Sequence, residues 1–383
     1  MQLAALAAIL LAILWLQNWI YRKYALQDVH YRCYLSKDQV YEGDEIELIE
    51  ELENRKWLPL PWFKTEITAS RWLDFAGAQS QLTDKSRFVP SFFTLKSYQK
   101  VSRRWKVTCL KRGEFSIDRV VLVTSDLLGN VNQSIGAEVH SSVLVLPRPL
   151  SEEALIKPRY LTGDIAVRRS LIEDPFYNSG VREYMEFDPM NRIHWPATAR
   201  EQKLMVFQND STTRQSVTIV LNMQSRYFEH DSKTIDAEKM ETAIRLCAGL
   251  FDATLATGMP LRFAANCTTG EGRSTISTEE FWGRDYVEGL FQMLARLKLQ
   301  STEEFCTFLS DHYHDFTSTD LILVTGFVDG KIVDIIRHKQ YDGVHVRTLL
   351  LGEIPEDVDA SGCEILELSP TELEKEAGLW ANA

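Results

Sequence analysis

The stretch "SVTIVLNMQSRYFEHDSKTIDAEKMETAIRLCAGLFDATLATGMP", residues 216–260, changes its periodicity part-way along. Residues 216–221 are a near-continuous apolar run of strand length, as in a strand covered on both faces. Further on, Met240, Ile244, Cys247, Phe251 and Leu255 recur at helical spacing. Asp236 and Glu238 favour the N-terminal end of that helix, and Gly258 and Pro260 stop it. A buried strand feeding an amphipathic helix is the repeating unit of a parallel sheet.

Working outward, the same alternation continues. "LRFAAN" at 261–266 reads as the next strand, and "STEE" at 277–280 has the spacing of a capping box leading into a helix over 281–297, weakened by Gly283 and Gly289. "DLILVTG" at 320–326, a helix near 331–339, "VHVRTLLLG" and "CEILELS" complete the series. Residues 213–383 are therefore expected to form a doubly wound α/β domain. Residues 28–147 differ: "VHYRCYL", "EIELIEEL", "FKTEITA", "RRWKVTCL" and "DRVVLVTS" are short, β-branched and aromatic, with turn signals between them. That spacing predicts a β-sandwich of immunoglobulin-like size. "PRP" at 147–149 marks the boundary, and 148–212 reads as a linker region.

At the N-terminus, "LAALAAILLAILWLQNWIY" (3–21) is interrupted only by Gln17 and Asn18. About 20 residues rising ~1.5 Å each just span a ~30 Å hydrocarbon core. Trp15, Trp19, Tyr21 and Tyr24 cluster at one end, followed by Arg22 and Lys23. Residues 1–25 are therefore expected to be a single-pass membrane anchor, with the folded part cytoplasmic. A cleaved signal peptide would carry its positive charge before the apolar run and small residues after it, the reverse of what stands here.

Net charge of −12 with scattered basic residues excludes nucleic acid as a partner. Six cysteines without a CxxC pair read as reduced, small hydrophobic residues. There is no GxGxxG, GxxxxGK[ST] or GxSxG motif, and the carboxyl ends of the first and third strands, where a ligand site would lie, offer amides and glycine rather than carboxylates. No cofactor is expected.

The densest functional signal is "VREYMEFDPMNRIHWPATAR" at 181–200, which packs Arg182, Arg192 and Arg200 with Glu183, Glu186 and Asp188, His194 and Trp195. Three readings compete. In a catalytic site, His194 acts as a base oriented by Asp188 or Glu183, giving a hydrolase. In a structural loop, the arginines hold carboxylates as bidentate forks and Trp195 anchors in the cleft between the two domains. In a docking surface, Arg and Trp meet another protein.

Residues 158–300 resemble the domain of unknown function 58 family, bacterial proteins commonly linked to MoxR-type AAA+ ATPases. Arg182, Tyr184, Asp188, Arg192, Ile193, His194, Trp195, Thr198, Ala199 and Arg200, followed by "KLMV" at 203–206, match its signature, and Arg112-Gly113-x-Phe115 and Asp126-x-x-Gly129 resemble its β region. Phe187 and Pro196 depart from it, stiffening that turn. The resemblance implies a C-terminal domain similar to von Willebrand factor A. Such domains hold a divalent cation at positions that here are Asn222, Gln224, Arg226 and Gly326. Two amides and a cation in those places imply a degenerate, metal-free site. The expected function is a non-enzymatic, membrane-anchored adaptor. It would work with a MoxR-type AAA+ ATPase and a protein client in complex assembly or maturation. An envelope-facing binding module is the alternative.

Overall fold

The computed structural model describes residues 2–126, 132–150, 173–185, 190, 193–211, 216–225, 235–270, 275–316, 318, 320–369 and 373. Helix α1 (Gln2–Tyr24) leads into β1 (Val29–Leu35), β2 (Gln39–Tyr41), β3 (Glu45–Asn54), β4 (Leu60–Ser70) and β5 (Leu73–Phe75). Then come β6 (Gln81–Leu82), β7 (Ser86–Leu95), β8 (Lys100–Cys109), β9 (Gly113–Ser125) and β10 (Asn132–Leu146). These strands form two sheets, ordered β1-β3-β8-β5 and β2-β10-β9-β4-β7-β6. Their inner faces share one core, with Leu48, Leu52 and Val107 from one sheet and Ile67, Val89 and Val120 from the other. Strand β3 shows why: every second residue, from Ile46 to Asn54, points inward.

One of those inward residues is a carboxylate. Glu50 is fully buried. It accepts hydrogen bonds from Tyr31 Oη (2.9 Å), Thr65 Oγ1 (2.8 Å), Ser91 Oγ (2.7 Å) and Trp105 Nε1 (2.8 Å). Four donors from both sheets converge on its two oxygens, which is what makes a charge tolerable in an apolar core. Burial, then the neighbouring Glu50 charge, pushes the Tyr31 hydroxyl pKa far up.

A two-stranded unit follows, made of β11 (Glu173–Glu183) and β12 (Met205–Ser211) with the short helix α2 (Trp195–Glu201) between them. The remaining elements are β13 (Val217–Leu221), α3 (Ala237–Thr257), β14 (Leu261–Ala265), β15 (Ile276–Ser277) and α4 (Arg284–Arg296), then α5 (Phe305–Asp311), β16 (Asp320–Thr325), α6 (Gly330–Tyr341), β17 (His345–Leu351) and β18 (Glu364–Leu368). Their sheet runs β15-β14-β13-β16-β17-β18, parallel except for β15. Helices α3 and α4 pack on one face with Ile219 and Leu221, while α5 and α6 pack on the other with Val220 and Ala264. Helix α4 starts at Arg284, not at the expected cap. Phe281 exchanges backbone hydrogen bonds with Leu261, so the chain stays extended until Gly283.

The expected architecture is corrected at its first element. The chain is mostly β, in four sheets among the described residues, and among those residues no helix is long and apolar enough to cross a membrane. The end of α1 belongs to the sandwich. Tyr21 and Ala25 are buried in its core, the Tyr21 hydroxyl donates to Pro59 O at 3.0 Å, and Gln133 Nε2 donates to Arg22 O. The aromatic turn expected at a membrane boundary is thus committed to packing, and Gln17 and Asn18 interrupt what precedes it.

Packing runs across the proline-rich boundary, because Leu144, Leu146 and Leu150 join the core built on α3 and α4. Two ion pairs, one buried and one partly so, reinforce that junction. Arg112 Nε donates to Glu241 Oε2 at 2.6 Å, and its Nη1 reaches Leu294 O (2.7 Å) and Leu297 O (3.1 Å) at the end of α4. Arg245, one turn along α3 from Glu241, grips Glu42 with Nη2–Oε1 at 2.7 Å and Nε–Oε2 at 3.0 Å. Burial raises the Glu241 carboxyl, but Arg112 and Lys111 more than reverse this and hold it below its ordinary value. Arg112→Ala is expected to cost about 3–5 kcal/mol in urea unfolding, whereas Arg112→Met with Glu241→Met comes within about 1 kcal/mol of wild type. The Glu241 contribution is complete above the ordinary glutamate value of 4.5 and is lost as pH falls through the lowered folded value. The advantage of wild type over the Glu241→Met single variant should therefore shrink only in acid.

Candidate functional site

The Arg-rich motif is distributed over the β11–α2–β12 unit. Arg182 pairs by its backbone with Val206 and Glu183 with Met205, and Tyr184 N donates to Leu204 O at 2.8 Å. His194 is the N-cap of α2. Its Nδ1 accepts from Ala197 N at 2.9 Å, and its own N–H donates to Met205 O at 2.7 Å. Thr198 closes the turn, with Oγ1 accepting from Met205 N at 3.0 Å. Pro196 sits where its fixed φ favours a helix start. The side chain of Arg182, the whole of Asp188 and Arg192, and Glu186 lie outside the described residues.

Two site expectations change here. Trp195 is not seated in a cleft; it is 66% exposed on the first turn of α2, and Arg200 is exposed on the last. His194 presents Nδ1 to the backbone as a cap, which withdraws that nitrogen from service as a base. Glu183 forms an ion pair with Lys203 at 3.3 Å, both side chains well exposed, so the pair contributes little.

The second candidate lies at the carboxyl ends of β13 and β16. Asn222 is fully buried and donates from Nδ2 to Thr325 Oγ1 at 2.9 Å. Its Oδ1 accepts from Gln224 N (3.0 Å) and from Asn266 Nδ2 (3.2 Å). Asn266 Oδ1 in turn accepts from Met223 N at 2.7 Å, and Gln224 Oε1 accepts from Phe305 N at 2.9 Å. The three amides thus stitch β13, β14, β16 and the start of α5 together. Gly326 packs so closely that an added Cβ would meet Ser225 backbone and Met240 at 3.1 Å. Its carbonyl accepts from Lys239 Nζ at 2.6 Å, which brings an ammonium to the strand ends. Arg226 lies outside the described residues. Among the described residues, no group of three or more His, Cys, Asp or Glu could hold a metal ion.

Sequence reasoning named Asn222, Gln224 and Gly326 but missed Asn266, Thr325 and Lys239. The signal for Asn266 was present, since "LRFAAN" ends on an amide at the sheet edge that carries Asn222. Lys239 carried none: a lysine in the first turn of a helix ordinarily reads as solvated. A cleft of ≈ 360 Å³ between the sandwich and α4 is lined by Lys111, Glu114, Glu241, Thr269 and Arg296, but Arg296 already pairs with Glu114 and Lys111 with Glu241. Burial pushes the Cys109 thiol to about 11 and those of Cys267 and Cys306 to about 12, too high for nucleophilic thiolates at neutral pH.

No family model matches the chain, and no curated protein matches it. Solved structures that resemble part of it include a non-cellulosomal cohesin from the archaeon Archaeoglobus fulgidus, at 11% identity over 34% of this chain and 98% of that one, with a TM-score of 0.23. The sporulation control protein Spo0M from Bacillus subtilis aligns at 14% identity over 34% of this chain and 54% of that one, with a TM-score of 0.21. A cohesin module from a Clostridium perfringens family 33 glycoside hydrolase aligns at 10% identity over 30% and 96%, with a TM-score of 0.19. At those scores the likenesses carry no argument about this chain.

Two substitutions test the amide web. Gly326→Ala is expected to cost about 1–3 kcal/mol through overpacking against Ser225. Asn222→Ala should cost more, since each buried partner left unsatisfied adds about 1–3 kcal/mol. Both are read as lowered midpoints in urea unfolding.

Proposed function

We propose that the chain is a non-enzymatic adaptor that works at a membrane and grips other proteins. The observation that carries this reading is Trp195, a large aromatic left two-thirds exposed on a helix start pinned by His194, Thr198 and Met205. An exposed tryptophan on a pinned helix start is the kind of residue that dominates binding hot spots. The strand ends support the non-enzymatic part. Asn222, Gln224 and Asn266 are bonded to one another and to the backbone, and Lys239 brings its own positive charge to Gly326. An ammonium at that place disfavours a divalent cation, so the site works without metal.

A MoxR-type AAA+ ATPase is the proposed partner, on the strength of the motif from Arg182 to Arg200 alone. Such a partner uses ATP and places the folded part of the chain on the cytoplasmic side. The membrane placement rests on α1, where Leu11, Trp15 and Leu16 are half or more exposed and make a helix costly to leave in water.

The test is a crosslinked pull-down from membranes with the tagged full chain. Recovery of an AAA+ ATPase is expected. Trp195→Ala should weaken its capture about 30-fold, the equivalent of ~2 kcal/mol, while leaving urea unfolding within about 0.5 kcal/mol of wild type. Absence of the ATPase, or equal capture by the variant, would sink the reading.

A further inference from the structure

The end of the sandwich that receives α1 exposes an unusual amount of aromatic surface. Trp57 is 60% exposed, Trp62 63% and Tyr98 72%. Trp57 and Tyr98 are held on adjoining loops, where Tyr98 N donates to Lys56 O at 3.2 Å and Ser97 Oγ donates to Trp57 O. Tyr98 adopts φ +55°, a left-handed conformation uncommon for an aromatic residue. Next to them, Trp62 and Phe92 line an open hollow of ≈ 190 Å³ on the outer sheet face.

This end is continuous with the apolar helix. Tyr21 is bonded to Pro59 O, Lys56 Nζ donates to Gln27 O at 2.7 Å, and Arg55 N donates to Asp28 O at 3.0 Å. Charge at the same end departs from the rest of the molecule. Arg22, Lys23, Arg55 and Lys96 lie exposed around it, while Lys56 is buried with its ammonium on Gln27 O. The acids there are Asp28, Glu53 and Asp126. Four exposed cations thus stand against the exposed Asp28 and the half-buried Glu53, with Asp126 buried, a local excess of positive charge on a chain whose net charge is −12. Lys23 Nζ lies 5.4 Å from the ring centres of both Trp19 and Tyr24, so cation and aromatic surface are interleaved.

We infer that this end of the sandwich rests on the headgroup layer of an anionic membrane. Trp57, Trp62 and Tyr98 sit at the depth where amphipathic rings meet both apolar and polar surroundings, and the cations face lipid phosphates. Contact at this depth requires no crossing of the bilayer. The inference rests on the membrane placement proposed above and is independent of the ATPase. The occupant follows from two features together: a net basic rim selects an anionic surface, and its continuity with α1 selects an apolar one.

The experiment is flotation of the purified full chain with vesicles of phosphatidylcholine alone and of phosphatidylcholine containing about one-third phosphatidylglycerol. Wild type is expected to float with both and more tightly with the anionic vesicles. Lys23→Gln with Lys96→Gln should lose about fivefold in partition per cation on the anionic vesicles and nothing on the neutral ones. Trp57→Ala with Tyr98→Ala should lose about tenfold on both, with thermal unfolding unchanged because both side chains are exposed. If wild type floats and neither double variant differs from it, the sandwich end does not touch lipid, although the membrane placement stands. If wild type floats with neither vesicle, both fall.

Discussion

Helix α3 presents Glu241 and Arg245 one turn apart on a single face, and the sandwich answers with Arg112 and Glu42, opposite charge to opposite charge. The positions of the two β units relative to each other depend on this reciprocal pairing. Arg112, Glu241 and Glu42 are buried and Arg245 is partly so, so sliding or rotating one unit against the other by a side chain's width would leave charges uncompensated, at several kcal/mol apiece for the buried ones. Arg112 adds direction. Its guanidinium also closes the carbonyl end of α4, where Leu294, Ala295 and Leu297 offer acceptors and the helix dipole is negative. An apolar contact of the same area would hold the units together but tolerate several registers. What the ion pairs add is a single geometry.

The same solution to buried polarity recurs in both cores. Glu50 gathers four donors from two sheets, and Asn222 with Asn266 gathers strand ends and the start of α5. In each case one inward polar side chain forces several elements to agree on a position before any of them is satisfied. Apolar packing sets the volume of these cores, and the polar centres choose among the packings that fill it. At the strand ends this choice has a functional consequence. Amides that satisfy one another there leave an ammonium, not a vacancy, as the charged feature of the site.

The features legible in the sequence were those with a local cause. The run ending at Leu221 forms β13, buried on both faces. Gly258 ends α3 at φ +70°, as a glycine following helical spacing should. Where the cause was distant, reading failed. "STEE" has capping-box spacing, but a bridge to Leu261 twenty residues back keeps Phe281 extended. The apolar run to Tyr21 reads as a membrane span, but among the described residues no helix is long and apolar enough to cross one, and its last turn is drawn into the sandwich by Pro59 and the inner sheet faces. At the candidate site, His194 was read as a base and not as a cap because histidine is not among the usual N-caps, and only the fold brings Ala197 N to its Nδ1. Glu42 and Arg245 are 203 positions apart, and no periodicity joins them.

The sandwich also explains how one molecule could serve two surfaces. Strands β3 and β8 run side by side from the loops bearing Glu42 and Arg112 to those bearing Trp57 and Tyr98. Ten residues at ~3.3 Å each separate these ends by roughly 33 Å. One end is clamped to α3 and α4 and the other receives α1, so a force applied at either is carried by hydrogen-bonded strands rather than by a linker. A flexible tether would let the C-terminal sheet sample every orientation beneath its attachment point. A twisted, two-sheet spacer with ion pairs at one end and Tyr21 packed into the other restricts it to one. Standoff and orientation of that kind are of use to a protein that presents a docking face to a large partner and of little use to an enzyme acting on diffusing small molecules. A stiff spacer that holds the second unit in one orientation is consistent with the adaptor proposed above.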